Sequence, residues 1–134
     1  MTVEATRRVI EMLERIEQTV TATVMPAVAG EGISRDGWRV LLLLLARGGR
    51  TMGEIATYTE LPPATATRTV DKLVESGLAH RRPDPVDRRR VLVHLAKNGR
   101  DVIERVSSQV DRIIGADRAQ LVSSLLEALA VKRR

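Results

Sequence analysis

Between Pro62 and Leu95 the hydrophobic period switches from helical to extended within a few residues, and this switch constrains the fold more than any other feature of the chain. Ala66, Val70, Leu73 and Val74 recur at three- and four-residue steps and form one apolar stripe. Thr65, Thr67, Arg68, Asp71 and Lys72 occupy the other face. Leu61 precedes a proline and is pushed toward extended geometry, while Pro63 suits a first helical turn, where a missing N–H costs nothing. Gly77 is the expected stop, because glycine takes the left-handed conformation after a last turn at little cost. The spacing therefore predicts a short, bounded helix starting close to Pro63.

Beyond Gly77, Leu78 to Arg82 and Arg89 to Leu95 read as two strands, the second with Arg89, Val91, Val93 and Leu95 on one side and Arg90, Leu92 and His94 on the other. Pro83, Asp84, Pro85 and Asp87 lie between them and favour a protruding turn over a regular ladder. A basic helix followed by a two-stranded basic hairpin is the pattern of a winged helix-turn-helix. Charge points the same way. Residues 68–100 hold nine Lys/Arg against four Asp/Glu, so the net +5 of the whole chain sits in this segment and the remainder is neutral. Such a footprint is expected of a protein that displaces counterions from phosphates.

The 134 residues amount to one domain, or one domain with appended helices, and 43% apolar content suffices for a core. Without cysteine there is no disulfide, thiolate zinc site or thiol redox chemistry. The longest apolar run, Val40 to Ala46, is far shorter than the roughly 20 residues of a membrane span, and the N-terminus lacks a secretory pattern, so a cytoplasmic protein is expected.

A long amphipathic helix is predicted from Val3 to about Val28, with Val3, Val9, Ile10, Leu13, Ile16, Val20, Val24 and Val28 as its apolar positions; Pro26 and Gly30-Glu31-Gly32 end or bend it. Ser34 caps the next helix, with Trp38, Leu41, Leu42 and Leu45 as core face and Gly48-Gly49 as breaker. Thr51 to Thr59 gives a third helix with Met52, Ile55 and Ala56 inward, joined to the basic helix by a turn at Glu60-Leu61-Pro62. After the hairpin, Asp101 to Ile114 is helical and Gly115 should close it. Asp117 and Gln120 have capping-box spacing for a last helix carrying Leu121, Val122, Leu125, Leu126 and Leu129, which ends in Lys132-Arg133-Arg134. This is more helix than a winged-helix core of about sixty residues requires; it would serve either packing within the chain or dimerisation, and the second is favoured because helix-turn-helix proteins commonly read two half-sites.

From Ile33 to Arg100 the chain resembles the MarR (multiple antibiotic resistance regulator) family of winged-helix transcription factors. The match is carried by Ile33-Ser34 and Trp38-Arg39-Val40-Leu41, by Thr65-Ala66-Thr67-Arg68 and Val70-Asp71-Lys72-Leu73, by Gly77-Leu78, and by the wing pattern Asp-x-Arg-x-x-x-Val-x-Leu from Asp87 to Leu95. The resemblance implies a mostly helical fold with a small antiparallel β-wing. It divides the chain into an N-terminal dimerisation helix (1–32), a winged helix-turn-helix DNA-binding domain (33–100) and C-terminal dimerisation helices (101–134). It further implies a homodimeric repressor on a pseudo-palindromic double-stranded operator, released by a small-molecule effector, with no cofactor.

Carried over by position, Thr65, Thr67 and Arg68 would lie in the major groove and Arg89 would enter the minor groove, braced by Asp87. Arg88, Arg90 and Lys72 are assigned to phosphates. Two departures stand out. Ala96 occupies the position that usually carries threonine, which removes an N-cap from the following helix unless Asn98 takes over. With Trp38 and Tyr58 the only aromatic residues, an effector pocket would be lined mainly by aliphatic side chains.

Other readings of the same residues are weaker. His80 and His94 lack the i, i+4 spacing and neighbouring cysteines of a metal site, and Asp84 and Asp87 have no nucleophile, base or phosphate loop beside them that would make an enzyme. The alternative from another class is a winged helix used as a protein-interaction module, its basic wing meeting an acidic partner.

Overall fold

The structure, a computed structural model, describes the backbone of residues 2–131 and the side-chain surroundings of residues 2–113 and Gly115. Its elements are α1 (Val3–Thr19), a π-helical stretch (Val20–Val24), α2 (Met25–Gly30), α3 (Arg35–Arg47), α4 (Met52–Thr59), α5 (Pro63–Glu75), β1 (Ala79–Pro83), β2 (Val91–Leu95) and α6 (Lys97–Val131). They fall into two compact units, residues 28–105 and the two terminal segments 1–27 and 106–134.

In the unit spanning 28–105, α3 is the central element, packed on α4, α5 and β2. Ser34 accepts the Gly37 N–H at 3.0 Å and starts the helix; Gly48, at φ +74°, ends it. Trp38 and Leu41 are buried as expected, but Leu42 and Leu45 are exposed, and Val40, Leu43 and Leu44 take the interior places instead. A run that is apolar almost all round has no preferred face of its own, so its rotation is set by the helices packed against it. The core is completed by Ile55 of α4, by Ala66, Val70 and Leu73 of α5, and by Val93 of β2.

β1 and β2 pair antiparallel with Ala79 opposite Leu95 and Pro83 opposite Val91. Both strands are offset from the sequence expectation, the second starting at Val91 rather than Arg89. The backbone of residues 84–90 is committed to the turn: Asp84 N–H donates to Arg90 C=O at 2.9 Å and Arg90 N–H to Asp87 C=O at 3.0 Å. Arg50 adds a rudimentary third strand, exchanging backbone hydrogen bonds of 3.0 and 2.8 Å with Val93. This bridge ties the loop before α4 to the base of the wing.

α6 begins at Lys97, and Asn98 lies inside its first turn, where it cannot be the N-cap. Ala96 has no side-chain oxygen to accept from the first turn of α6; its backbone N–H donates to Leu78 C=O at 3.0 Å and joins the helix start to the residue before β1. Gly99 sits so close that a Cβ there would lie 2.2 Å from the Leu78 carbonyl oxygen.

In the other unit, Thr2 caps α1 by accepting the Ala5 N–H at 3.0 Å. The helix predicted to Val28 is present but widens at Val20–Val24, where Met25 N–H reaches back five residues to Val20 C=O. Pro26 explains the widening, since it has no N–H to donate and its ring would clash with the carbonyl four residues earlier. The expected break at Gly115 does not occur, for α6 runs through it to Val131. Glycine inside a helix costs about 1 kcal/mol relative to alanine, too little to stop a helix with good formers on both sides. Asp117 therefore lies within a continuous helix rather than at a cap. The side chains of Asp117 and Gln120, the apolar face of Leu121, Val122, Leu125, Leu126 and Leu129, and Lys132-Arg133-Arg134 lie outside the described residues.

Candidate nucleic-acid interface

α5 is entered through Pro62, at φ −56° and ψ 143°, and Pro63 at its first position. Burial of Ala66, Val70 and Leu73 against the core fixes its rotation and leaves Thr67, Arg68 and Lys72 exposed, with Thr65 half-buried beside them. Thr67 Oγ1 donates to Pro63 C=O at 3.0 Å, and Arg68 Nη2 donates to Thr65 Oγ1 at 3.3 Å. The guanidinium thus lies along the helix surface. Arg81 of β1 and Asp71 of α5 form an ion pair at 2.5 Å, which fixes the helix to the wing.

Asp87 organises the tip of the wing. Its carboxylate accepts the Arg89 backbone N–H at 3.1 Å, and it receives the Arg89 side chain through two bonds, Nε to Oδ1 at 3.0 Å and Nη2 to Oδ2 at 3.2 Å. The Arg89 guanidinium beside it, together with that N–H, holds the Asp87 carboxyl below its ordinary value, while Asp87 raises Arg89 in turn. Arg89 is 90% exposed, so the pair contributes little to stability. Its consequence is orientation: a bidentate contact holds a planar cation in one pose at the tip of a loop. Asp84 shapes the other side of the turn by accepting the Val86 N–H at 2.9 Å.

Arg88 is exposed beside Arg89. Arg90 departs from the group, its Nη2 lying 3.7 Å from Glu54 Oε1 on α4, and Arg50 Nε lies 4.0 Å from the other oxygen of the same carboxylate. The structure thus collects Thr65, Thr67, Arg68 and Lys72 on the open face of α5 and Asp87, Arg88 and Arg89 at the wing tip, while Arg90 turns toward α4. Glu54 was not singled out by the sequence reading, although Thr51-x-x-Glu54 has the spacing of a capping box and forms one here. Arg50 carried no local signal, because its bridge to Val93 joins residues far apart in the chain.

His80 and His94 face each other across the two strands, edge to face with ring centroids 5.6 Å apart. Burial pushes His80 below the usual imidazole range, with Arg82 and His94 adding to the effect. Among the described residues no group of three potential ligands is placed to hold a metal ion. No helix of the described residues is long and apolar enough to cross a membrane.

Comparison with known proteins places this arrangement. Residues 31–90 match the model of the MarR family. YkoM of Bacillus subtilis, an HTH-type transcriptional regulator, is 31% identical over 75 residues, 56% of this chain and 49% of that protein. The chain spans about half the length of the curated relatives it matches. Among solved structures, RV1404 from Mycobacterium tuberculosis superposes with a TM-score of 0.74 at 29% identity, covering 84% of this chain and 78% of that one. The transcriptional repressor CouR, bound to a 23-mer DNA duplex, superposes at 0.66 and 29% identity, covering 91% and 89%. An α4–α5 helix-turn-helix, a wing headed by an Asp-x-Arg pair, and helices at both ends agree with these matches, and residues 31–90 are similar to the MarR family of winged-helix transcriptional regulators.

Proposed function

We propose that the chain is a sequence-specific double-stranded DNA-binding repressor acting as a homodimer on a pseudo-palindromic operator. The observation that carries this reading is the concentration of the entire net positive charge in residues 68–100, which take in most of α5, the wing and the first residues of α6, with Arg89 of the wing already oriented by Asp87. α5 enters the major groove, where Thr65, Thr67 and Arg68 meet base edges. Arg89 reaches the minor groove with Asp87 holding its guanidinium, while Arg88, Arg90 and Lys72 meet phosphates. That CouR, to which the chain is similar, is bound to a 23-mer DNA duplex supports the DNA-binding part of this reading.

Two copies place two α5 helices in successive major grooves about 10 base pairs apart. Segments 1–32 and 101–134 supply the dimer contacts. Support comes from α1, which has no buried residue and leaves Val3, Ile10 and Leu13 at 88%, 49% and 58% exposure in the single chain. A small-molecule effector would release DNA by binding better to a dimer whose half-site spacing no longer fits. Footprinting on the region upstream of its own gene, combined with sedimentation of the complex, tests the reading. Protection of a two-fold site by two chains is expected; one chain per duplex without a discrete footprint would refute it.

A further inference from the structure

Glu54 stands at the third position of α4, where Thr51 N–H and Thr51 Oγ1 both donate to its Oε1 at 3.0 Å. The Glu54 N–H returns a bond of 3.2 Å to Thr51 Oγ1, completing the capping box. A capping box requires an acceptor oxygen and not a charge, so glutamine serves in it as well as glutamate. The charge at this position is favoured first by the two Thr51 bonds and then by two arginines. Arg90 approaches the capped oxygen to 3.7 Å from the wing, and Arg50 approaches the other oxygen to 4.0 Å from the loop that bridges to Val93. Thr51 thereby fixes a carboxylate in position to receive a wing arginine.

The neighbouring arginines of the tip are divided between two carboxylates. Arg89 is paired within the turn and is 90% exposed; Arg90 is 52% exposed and paired with a different element. A carboxylate and a phosphate offer a guanidinium the same kind of oxygen acceptor. We propose that Glu54 is an internal substitute for phosphate, a positioning residue that holds Arg90 on α4 in the free protein and surrenders it when a duplex binds. This rests on the DNA-binding reading above. Arg90 then exchanges one anion for another on binding, and the affinity of the wing is set lower than its arginine content would give. Ion pairs this exposed shift an equilibrium by up to about fivefold, which sets the size of the effect.

A double-mutant cycle on the full chain tests it, read as affinity for a random duplex at fixed salt, with melting temperature followed in parallel. Glu54→Gln keeps the capping oxygen and should melt only slightly below the native protein, since it loses just the small contribution of an exposed first-turn charge. It is expected to bind about two- to fivefold more tightly, Arg90→Ala to bind more weakly, and Glu54→Gln in the Arg90→Ala background to give no gain. An equal gain in both backgrounds would show Glu54 to be one more negative charge near DNA and would overturn the proposal, as would no gain in either. A native protein that binds no duplex would take down the DNA-binding reading and this inference together, whereas additive effects in a protein that does bind would sink the inference alone.

Discussion

Asp87 shows how one side chain can shape the tip of a loop by holding its neighbours. It accepts from the Arg89 backbone and side chain together, so turn geometry and guanidinium pose are set by the same carboxylate. Because its folded-state pKa is lowered from an ordinary 3.8, the interaction is fully present above that value and is lost as pH falls through the lowered one. The Arg89 Nε–H signal, followed by NMR in a pH titration, should therefore stay in its paired position through neutral and mildly acidic pH and move only below about 4. A transition near 6 would mean that Asp87 is not its partner. Gly99 illustrates the opposite constraint, space rather than charge. Gly99→Ala should destabilise the protein by about 1–3 kcal/mol in denaturant unfolding, because its new Cβ would meet the Leu78 carbonyl, which is backbone and cannot swing aside.

α6 shows where local rules are overridden. Because it runs through Gly115, Gly115→Ala should raise stability by up to about 1 kcal/mol, read from the melting temperature; a left-handed helix end at that position would make the same change destabilising. α5 and the wing were legible in the sequence because each of their signals is local: Pro63 at the first turn, Gly77 at φ +73°, the Asp/Pro turn. The rotation of α3 was not, since seven consecutive apolar residues, Val40 to Ala46, offer no polar face to read, and only packing on α4, α5 and β2 exposes Leu42 and Leu45. The Arg50–Val93 bridge was equally hidden, as was the turn of Arg90 toward Glu54, because both join parts of the chain about forty residues apart or nearly so. The candidate contact residues could be named from position along a helix and a hairpin, but which arginine faces outward depends on where carboxylates from other elements arrive.

For the assembled protein, the reading requires two chains. The open apolar positions of α1 provide the test: Ile10→Glu with Leu13→Glu should shift sedimentation from dimer to monomer and weaken operator binding at least tenfold, while leaving the helix content of residues 28–105 intact. Monomeric native protein at micromolar concentration would remove this part of the reading.

The most direct test of DNA recognition by α5 and the wing is a binding titration against upstream and random duplexes across a salt series, for the native chain, Arg89→Ala and Arg68→Ala. The native protein should bind its upstream duplex tightly in the presence of competitor, with affinity falling steeply as salt rises. Arg89→Ala should weaken binding and flatten the salt slope by about one phosphate-equivalent, and Arg68→Ala should change the preference between duplexes. Equal, weak binding to both duplexes that neither substitution alters would contradict the assignment of DNA contacts to this helix and wing.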